Sequence, residues 1–324
     1  MKKLITLILT IFICTLLAAC GSQKEKVVIY TSAADYRIAH MSDSLSKAFP
    51  NYDIAIEFLP SGKHAAKILA EGMNSECDII YDLPYLALDE LAKAGVLADL
   101  SGYDTTIYTD DTIASNNYHI ELRMGGAIIV NTEVLKERAL LEPKSYMDLL
   151  KPEYKGLVSM SDPKASGTGY MFLKSLVNAW GEESAFTYFE KLSDNISQYK
   201  ASGAAPVNAL AQKEVAIALG ITNNAVIKIN DGVPLKIIFF EEGSPYSLYG
   251  QSIVRGKDKK ESVKKVFDYM VKVLNIENCQ KFAPEKIYKD KDFIIKNFPA
   301  NIKYADMSND TLAEKKRLLE KWKY

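Results

Sequence analysis

The sequence predicts an α/β protein of two lobes with a ligand cleft between them, and three observations carry that expectation. Short apolar runs alternate with amphipathic stretches of helical period from residue 27 onward. The alternation breaks over 103–117 and resumes as a second block of the same character. A returning strand at 251–255 and a helix over 261–274 then lead back to the first block. Repeated strand–loop–helix units mark a parallel sheet with crossover helices, and ligands collect where loops leave the C-terminal ends of the strands.

The first twenty residues set the compartment. Lys2 and Lys3 precede an apolar run over 4–17, and Leu17-Ala18-Ala19-Cys20 follows. The run is shorter than the ~20 residues of a membrane-spanning helix and ends in small residues, which predicts a cleaved export signal over 1–19. Cysteine at the cleavage point predicts lipidation of Cys20, with 20–26 as a polar tether outside a bacterial cell membrane. Removing 19 of 324 residues leaves 305, enough for about two domains. Two of the 40 basic residues leave with the signal, so 38 face 41 acids, and no basic face for nucleic acid is expected. Cys14 leaves too. Beside Cys20 only Cys77 and Cys279 remain, too few for a disulfide framework or a CxxC metal pattern. No cofactor is expected, and the expected state is a monomer.

In order, 27–30 reads as a strand and 31–36 as a polar loop. A helix then runs through Ala39, Met41, Leu45 and Phe49 until Pro50 stops it. Residues 54–58 form the second strand, and Pro60-Ser61-Gly62 opens a helix carrying Ala65, Ile68 and Leu69. Residues 78–81 are the third strand, and 85–94 the third helix, ended by Gly95. The second block contains strands at 126–131, 156–160, 215–219 and 235–240. Its helices are expected near 132–138, 145–150, after 170, and over 184–192. The tail over 310–324 reads as a charged amphipathic helix on the outside. Residues 27–122 plus 248–324 thus form one lobe and 123–247 the other, with two chain crossings as a hinge.

The richest candidate motif is Ser166-Gly167-Thr168-Gly169, at the start of an apolar helix. A helix N-terminus offers unpaired N–H groups and partial positive charge, hydroxyls add donors, and glycine lets a ligand approach the backbone. Ser166, Gly167 and Thr168 are therefore candidate oxyanion ligands, although a helix cap alone would account for Ser166 or Thr168. Thr31, Ser32 and Asp35 follow the first strand, where the crevice is expected. Ser61, Gly62 and Lys63 open the next helix on the same edge, with Lys63 able to neutralise an anion. Tyr85 could stack on a ligand, Ser202 lies in a second small-residue loop, and Glu242 could hold a hydroxyl or ammonium. No G-x-S-x-G elbow or H-E-x-x-H is present, and His40, His64 and His119 have no triad spacing, so an enzyme is not expected.

A resemblance narrows the function. Pro60-Ser61-Gly62, Lys67-Ile-Leu-Ala-Glu71 and Asn74-Ser-Glu-Cys-Asp78-Ile-Ile-Tyr-Asp82 resemble one region of the extracellular solute-binding proteins of ABC importers. The stretch from Leu88 to Leu100, Gly156-Leu-Val-Ser-Met-Ser-Asp-Pro163 and Glu241-Glu-Gly-Ser-Pro-Tyr246 resemble later segments of the same proteins, in the same order. The branch it looks like includes ferric-ion-binding and phosphonate- or sugar-phosphate-binding proteins. The resemblance implies a type II periplasmic-binding-protein fold, with a small solute, an ABC permease and its ATPase as partners. Ferric binders in this branch carry adjacent tyrosines in a motif like G-I-x-N-N-Y-Y. Here Gly220-Ile-Thr-Asn-Asn224 is followed by Ala225 and Val226, which cannot ligate hard Fe(III). An oxyanion-bearing solute, a phosphonate or a phosphorylated small molecule, is the expected ligand; ferric iron or an iron complex is the alternative, and a lipid-anchored hydrolase a more distant one.

Overall fold

A computed structural model describes residues 24–324 except 110, 111, 113, 114, 285, 286 and 290. The export signal and Cys20 lie outside the described residues, and the expected tether ends early because Glu25 and Lys26 already belong to the first strand.

Three strand–loop–helix units come first: β1 (Glu25–Thr31), α1 (Asp35–Ala48), β2 (Tyr52–Phe58), α2 (Ser61–Glu71), β3 (Ile79–Pro84) and α3 (Tyr85–Lys93). The chain then runs through β4 (His119–Asn131), α4 (Thr132–Glu137), β5 (Val158–Ser161), α5 (Gly167–Trp180) and α6 (Glu182–Ser193). Next come β6 (Ile196–Lys200), α7 (Ala205–Ala211), β7 (Ile217–Ile221), α8 (Thr222–Asn230) and β8 (Leu235–Ile238). It closes with β9 (Tyr246–Ile253), α9 (Glu261–Tyr269), α10 (Asn275–Lys281) and α11 (Leu312–Lys321), a π-helical turn joining α9 to α10.

The strands order as β2-β1-β3-β9-β4-β7-β5-β6, with β8 added beside β4. β1 pairs in parallel with β2 and β3, and β5 in parallel with β6 and β7, as crossover helices require. The sheet as a whole is mixed rather than parallel, because β4 and β9 run against their neighbours. These two strands carry the chain between the halves of the sheet. β4 pairs with β9 up to Gly125, and from Gly126 it pairs with β7 and β8 instead.

Each half has its own apolar core. Val27, Ile29, Met41, Leu45, Val266 and Phe267 pack together in the first. Val158, Met160, Phe172, Leu176, Phe189 and Ile217 pack together in the second. α5 is buried on almost every face from Gly167 to Val177, which explains why its sequence is apolar without a polar side. α11 is the charged outer helix expected, with Leu318 its one buried residue; Trp322, just past its end, is fully buried and sets its ring edge-on to Phe189 and Tyr199. That contact ties the end of the tail to the core of the second half, while α11 itself packs along α3 of the first. Residues 145–150 hold only a 3-10 turn (Met147–Leu150), and β6 was missed. Cys77 and Cys279 are buried thiols that form no disulfide.

Candidate functional site

The C-terminal ends of the strands in both halves face one cavity of about 230 Å³. Its walls bring together many of the residues expected from sequence. Ser32, Asp35 and Ser61 line it from the first half, and Ser166, Thr168 and Ser202 from the second. The walls touch beside it: Gly62 N–H donates to the Ala165 carbonyl at 3.2 Å, and Gly167 N–H to Ser61 Oγ at 3.0 Å. A Cβ on Gly62 would stand 2.8 Å from the Lys164 carbonyl oxygen, so glycine is what permits this approach.

The hydroxyls are oriented by what they accept. Ser166 caps α5, its Oγ taking the Thr168 N–H at 3.2 Å, and Ser61 Oγ takes the Gly167 N–H. Each thereby has its own proton left to donate elsewhere. The opening of α5 is thus both a helix cap and a donor edge of the cavity. Thr168 is buried against Gly203, where a Cβ would collide with Thr168 Oγ1. Ser32 Oγ lies 3.0 Å from His64 Nδ1. Burial drives the His64 pKa down to about 3, so this imidazole is neutral.

Other expected residues lie elsewhere. Thr31 is fully buried, and its Oγ1 accepts the Ala33 N–H at 3.1 Å to bend the loop. Lys63 is exposed and, with Gly62 and Gly167, is not on the cavity wall. Tyr85 donates to the Asp310 carbonyl at 2.9 Å, and Glu242 accepts from Trp180 Nε1 at 3.1 Å, both away from the cavity.

The chief feature missed from sequence is a buried ion cluster at the cavity base. Arg37, in the first turn of α1, reaches Asp82 at 2.7 Å and Glu121 at 2.8 Å, and also donates to the Tyr81 hydroxyl at 3.1 Å. Two irregularities aim the carboxylates. The β3–β9 register shifts between Ile80 and Leu83, with Asp82 at φ 58°, and the β4–β9 register shifts between Ile120 and Leu122. Such bulges re-aim side chains that a regular ladder would point elsewhere. Burial opposes the Arg37 charge, but Asp82 and Glu121 overcome that and hold its pKa well above the ordinary value. Burial lifts Glu121 to about 8, Arg37 working against the rise and Asp82 with it. Arg37 keeps a buried Nε without a partner. Asn223 and Asn224, in the first turn of α8, also line the cavity. Asn224 Oδ1 accepts from the Tyr36 hydroxyl at 2.7 Å, while Asn224 Nδ2 and Asn223 Oδ1 are buried with no partner. Leu122, Met124, Ile221 and Tyr249 form the apolar part of the wall. Arg37 was findable, because it shares the buried face of α1 with Met41 and Leu45, four and eight residues on.

Comparison with known proteins agrees with this geometry. The family described as bacterial extracellular solute-binding protein matches residues 95–284, more than half of the chain. The chain belongs to that family. An uncharacterized protein of Haemophilus influenzae is 31% identical over 268 residues, covering 78% of this chain and 75% of its own length. The spermidine/putrescine-binding periplasmic protein of Escherichia coli is 23% identical over 228 residues, 68% of this chain and 59% of its own. Among solved structures, the periplasmic binding protein AfuA from Actinobacillus pleuropneumoniae, with exogenous fructose-6-phosphate bound, superposes with TM-score 0.81. It is 26% identical and covers 93% of this chain and 98% of its own. Iron-bound HitA from Pseudomonas aeruginosa gives TM-score 0.73 at 18% identity, over 92% of this chain and 99% of its own. As a solute-binding protein on a periplasmic-binding-protein fold, the chain binds and does not catalyse. Among the described residues no helix is long and apolar enough to cross a membrane, and no cluster of three or more His, Cys, Asp or Glu could hold a metal.

Proposed function

We propose that this protein is the capture component of an ABC importer and binds a small oxyanion-bearing solute, a phosphonate or a phosphorylated small molecule. Residues 27–122 with 248–324, and 123–247, act as two lobes that close on it about the Gly125–Gly126 step of β4 and the start of β9. Lipid on Cys20 holds the protein at the outer face of the membrane, where it hands the solute to a permease driven by an ATPase subunit.

One observation carries the reading: a single cavity gathers donors from both halves, with no net positive charge among them. Ser32 and Ser61 stand opposite Ser166, Thr168, Ser202 and Asn224 Nδ2, while the only cation on the wall among the described residues, Arg37, is paired with Asp82 and Glu121. Oriented neutral donors at helix N-termini are how a protein holds phosphate without a salt bridge. Micromolar capture corresponds to about −8 kcal/mol, and hydrogen bonds to a charged group contribute roughly 1.5–3 kcal/mol each. Three or four bonds therefore suffice, and they require both walls. The fructose-6-phosphate bound in AfuA belongs to this ligand class.

The alternatives fit less well. Ferric iron needs phenolate, but Ala225 and Val226 are fully buried where the ferric motif has tyrosines. Burial also raises the pKa of Tyr36 and Tyr249, the phenols on the cavity wall, and so disfavours phenolate. A polyamine needs several free carboxylates, whereas Asp82 and Glu121 already hold Arg37 and, among the described residues, Asp35 alone lines the wall outside that cluster. The test is thermal unfolding with fructose 6-phosphate, an alkyl phosphonate, inorganic phosphate, ferric iron, thiamin and spermidine in turn. A solute at one hundred times its Kd adds about 2.7 kcal/mol of stability. A shift confined to phosphate- or phosphonate-bearing compounds supports the reading. A shift with iron alone, abolished by chelator, or with spermidine alone refutes it.

A further inference from the structure

One carboxylate of the tail joins helices from the two halves of the sheet. Asp310 Oδ2 accepts from the Tyr85 hydroxyl at 3.1 Å, and Oδ1 accepts from the Tyr170 hydroxyl at 2.7 Å. Tyr85 opens α3 directly after β3, and Tyr170 lies in the first turn of α5, behind β5. The rest of the tail is held unequally. Toward the second half, Leu318 and Trp322 are buried in the core, Lys164 Nζ donates to the Trp322 carbonyl at 2.7 Å, and Glu182 pairs with Arg317 and Lys321. Asn178 Nδ2 adds bonds to the Asp306 and Ser308 carbonyls at 2.9 and 3.0 Å. Toward the first half the polar contacts are Tyr85 with Asp310, and Lys316 with Glu90 at 2.7 Å. α11 also faces the place where the cavity walls meet, since Leu312, Lys315 and Leu319 share a hollow with Ser61, Gly62 and Ser166.

We propose that residues 308–324 form a strap, anchored on the second lobe, that clasps α3 when the cleft closes and so sets how tightly solute is retained. The proposal rests on the hinged reading above. Opening the lobes leaves the Trp322 anchor intact and breaks the clasp, because the anchor is fully buried, whereas α3 is held by two polar contacts and the packing of a largely exposed helix along it. Tyr85 thereby acquires a role other than touching solute.

The test uses spin labels on Asn51→Cys and Lys191→Cys, exposed positions in the two halves, because the native Cys77 and Cys279 are buried. Inter-label distances are measured without solute and with fructose 6-phosphate, an alkyl phosphonate and inorganic phosphate, in the parent and in a Tyr85→Phe, Glu90→Gln variant. The strap predicts about tenfold more of the long-distance population in the variant without solute, and a correspondingly weaker hold on any compound that shortens the distance. Lys321→Gln, on the anchored side, leaves the distribution as in the parent. Equal distributions in parent and variant, with a probe shortening both, leave the hinge standing and overturn the strap. Distances that neither the variant nor any probe changes overturn hinge and strap together.

Discussion

Replacing Arg37 by methionine removes the cation from between two buried carboxylates. Arg37 is 3% exposed, and Asp82 and Glu121 are 1% exposed each, so water cannot take its place. Breaking a buried pair by deleting one partner costs about 3–5 kcal/mol, because the remaining charge is left uncompensated. The carboxylates of the variant escape that cost by binding protons, which makes the loss depend on pH. Wild type already favours one proton, with Glu121 raised to about 8. The variant folds with one more. Its folded state then holds more protons than its unfolded chain, so stability falls as pH rises above the ordinary carboxylate range, by about 1.4 kcal/mol per unit for that extra proton. From pH 5 to pH 8 this amounts to about 4 kcal/mol. Urea unfolding of Arg37→Met against wild type should therefore show a loss near 1 kcal/mol at pH 5 and about 4–5 kcal/mol at pH 8. The same loss at both pH values, or one below about 1 kcal/mol at pH 8, would refute the assignment of Arg37 as counterion of this cluster.

Glu121→Gln tests the same cluster from the other side. Wild type loses stability as pH rises from about 4.5 to about 8, because folding raises this pKa. The variant lacks that slope and gains on wild type between pH 5 and pH 9, as urea midpoints at the two values would show. Ser166→Ala deletes the α5 cap and should cost about 1 kcal/mol, together with part of any solute-induced rise in Tm. Gly203→Ala drives a methyl group into Thr168 and should cost about 1–3 kcal/mol by overpacking while weakening solute binding more than tenfold by titration calorimetry. Trp322→Ala should cost about 3–5 kcal/mol in urea, since the ring is fully buried; a loss under about 1 kcal/mol would contradict its role as the buried anchor of the tail.

Much of the fold is legible in the sequence where local signals agree. α1, α2 and α3 combine helical period with polar loops and stop residues, and each lies within a few residues of its expected span. β6 was missed because an edge strand with a partly exposed, polar pattern carries no burial signal. The start of β4 was missed for a different reason. His119 to Gly125 is held by pairing with β9, more than a hundred residues away, and nothing local marks it. The site divides in the same way. Ser32, Ser61, Ser166, Thr168 and Ser202 announce themselves as small polar residues where strand turns into helix, and the cavity collects them. The ion cluster does not, because Arg37, Asp82 and Glu121 meet only through two register shifts flanking β9. Lys63 and Glu242 carry the expected charge, but their places are set by the local turn of α2 and by Trp180, which sequence spacing does not encode.

The most direct test is titration calorimetry of fructose 6-phosphate, fructose and inorganic phosphate into wild type and into Thr168→Val. The proposed oxyanion site predicts heat of binding with at least one phosphate-bearing compound, none with fructose, and a loss of about tenfold or more in affinity in the variant. Binding of fructose as tight as that of its phosphate, or binding of the phosphate-bearing compound that Thr168→Val leaves unchanged, would contradict it.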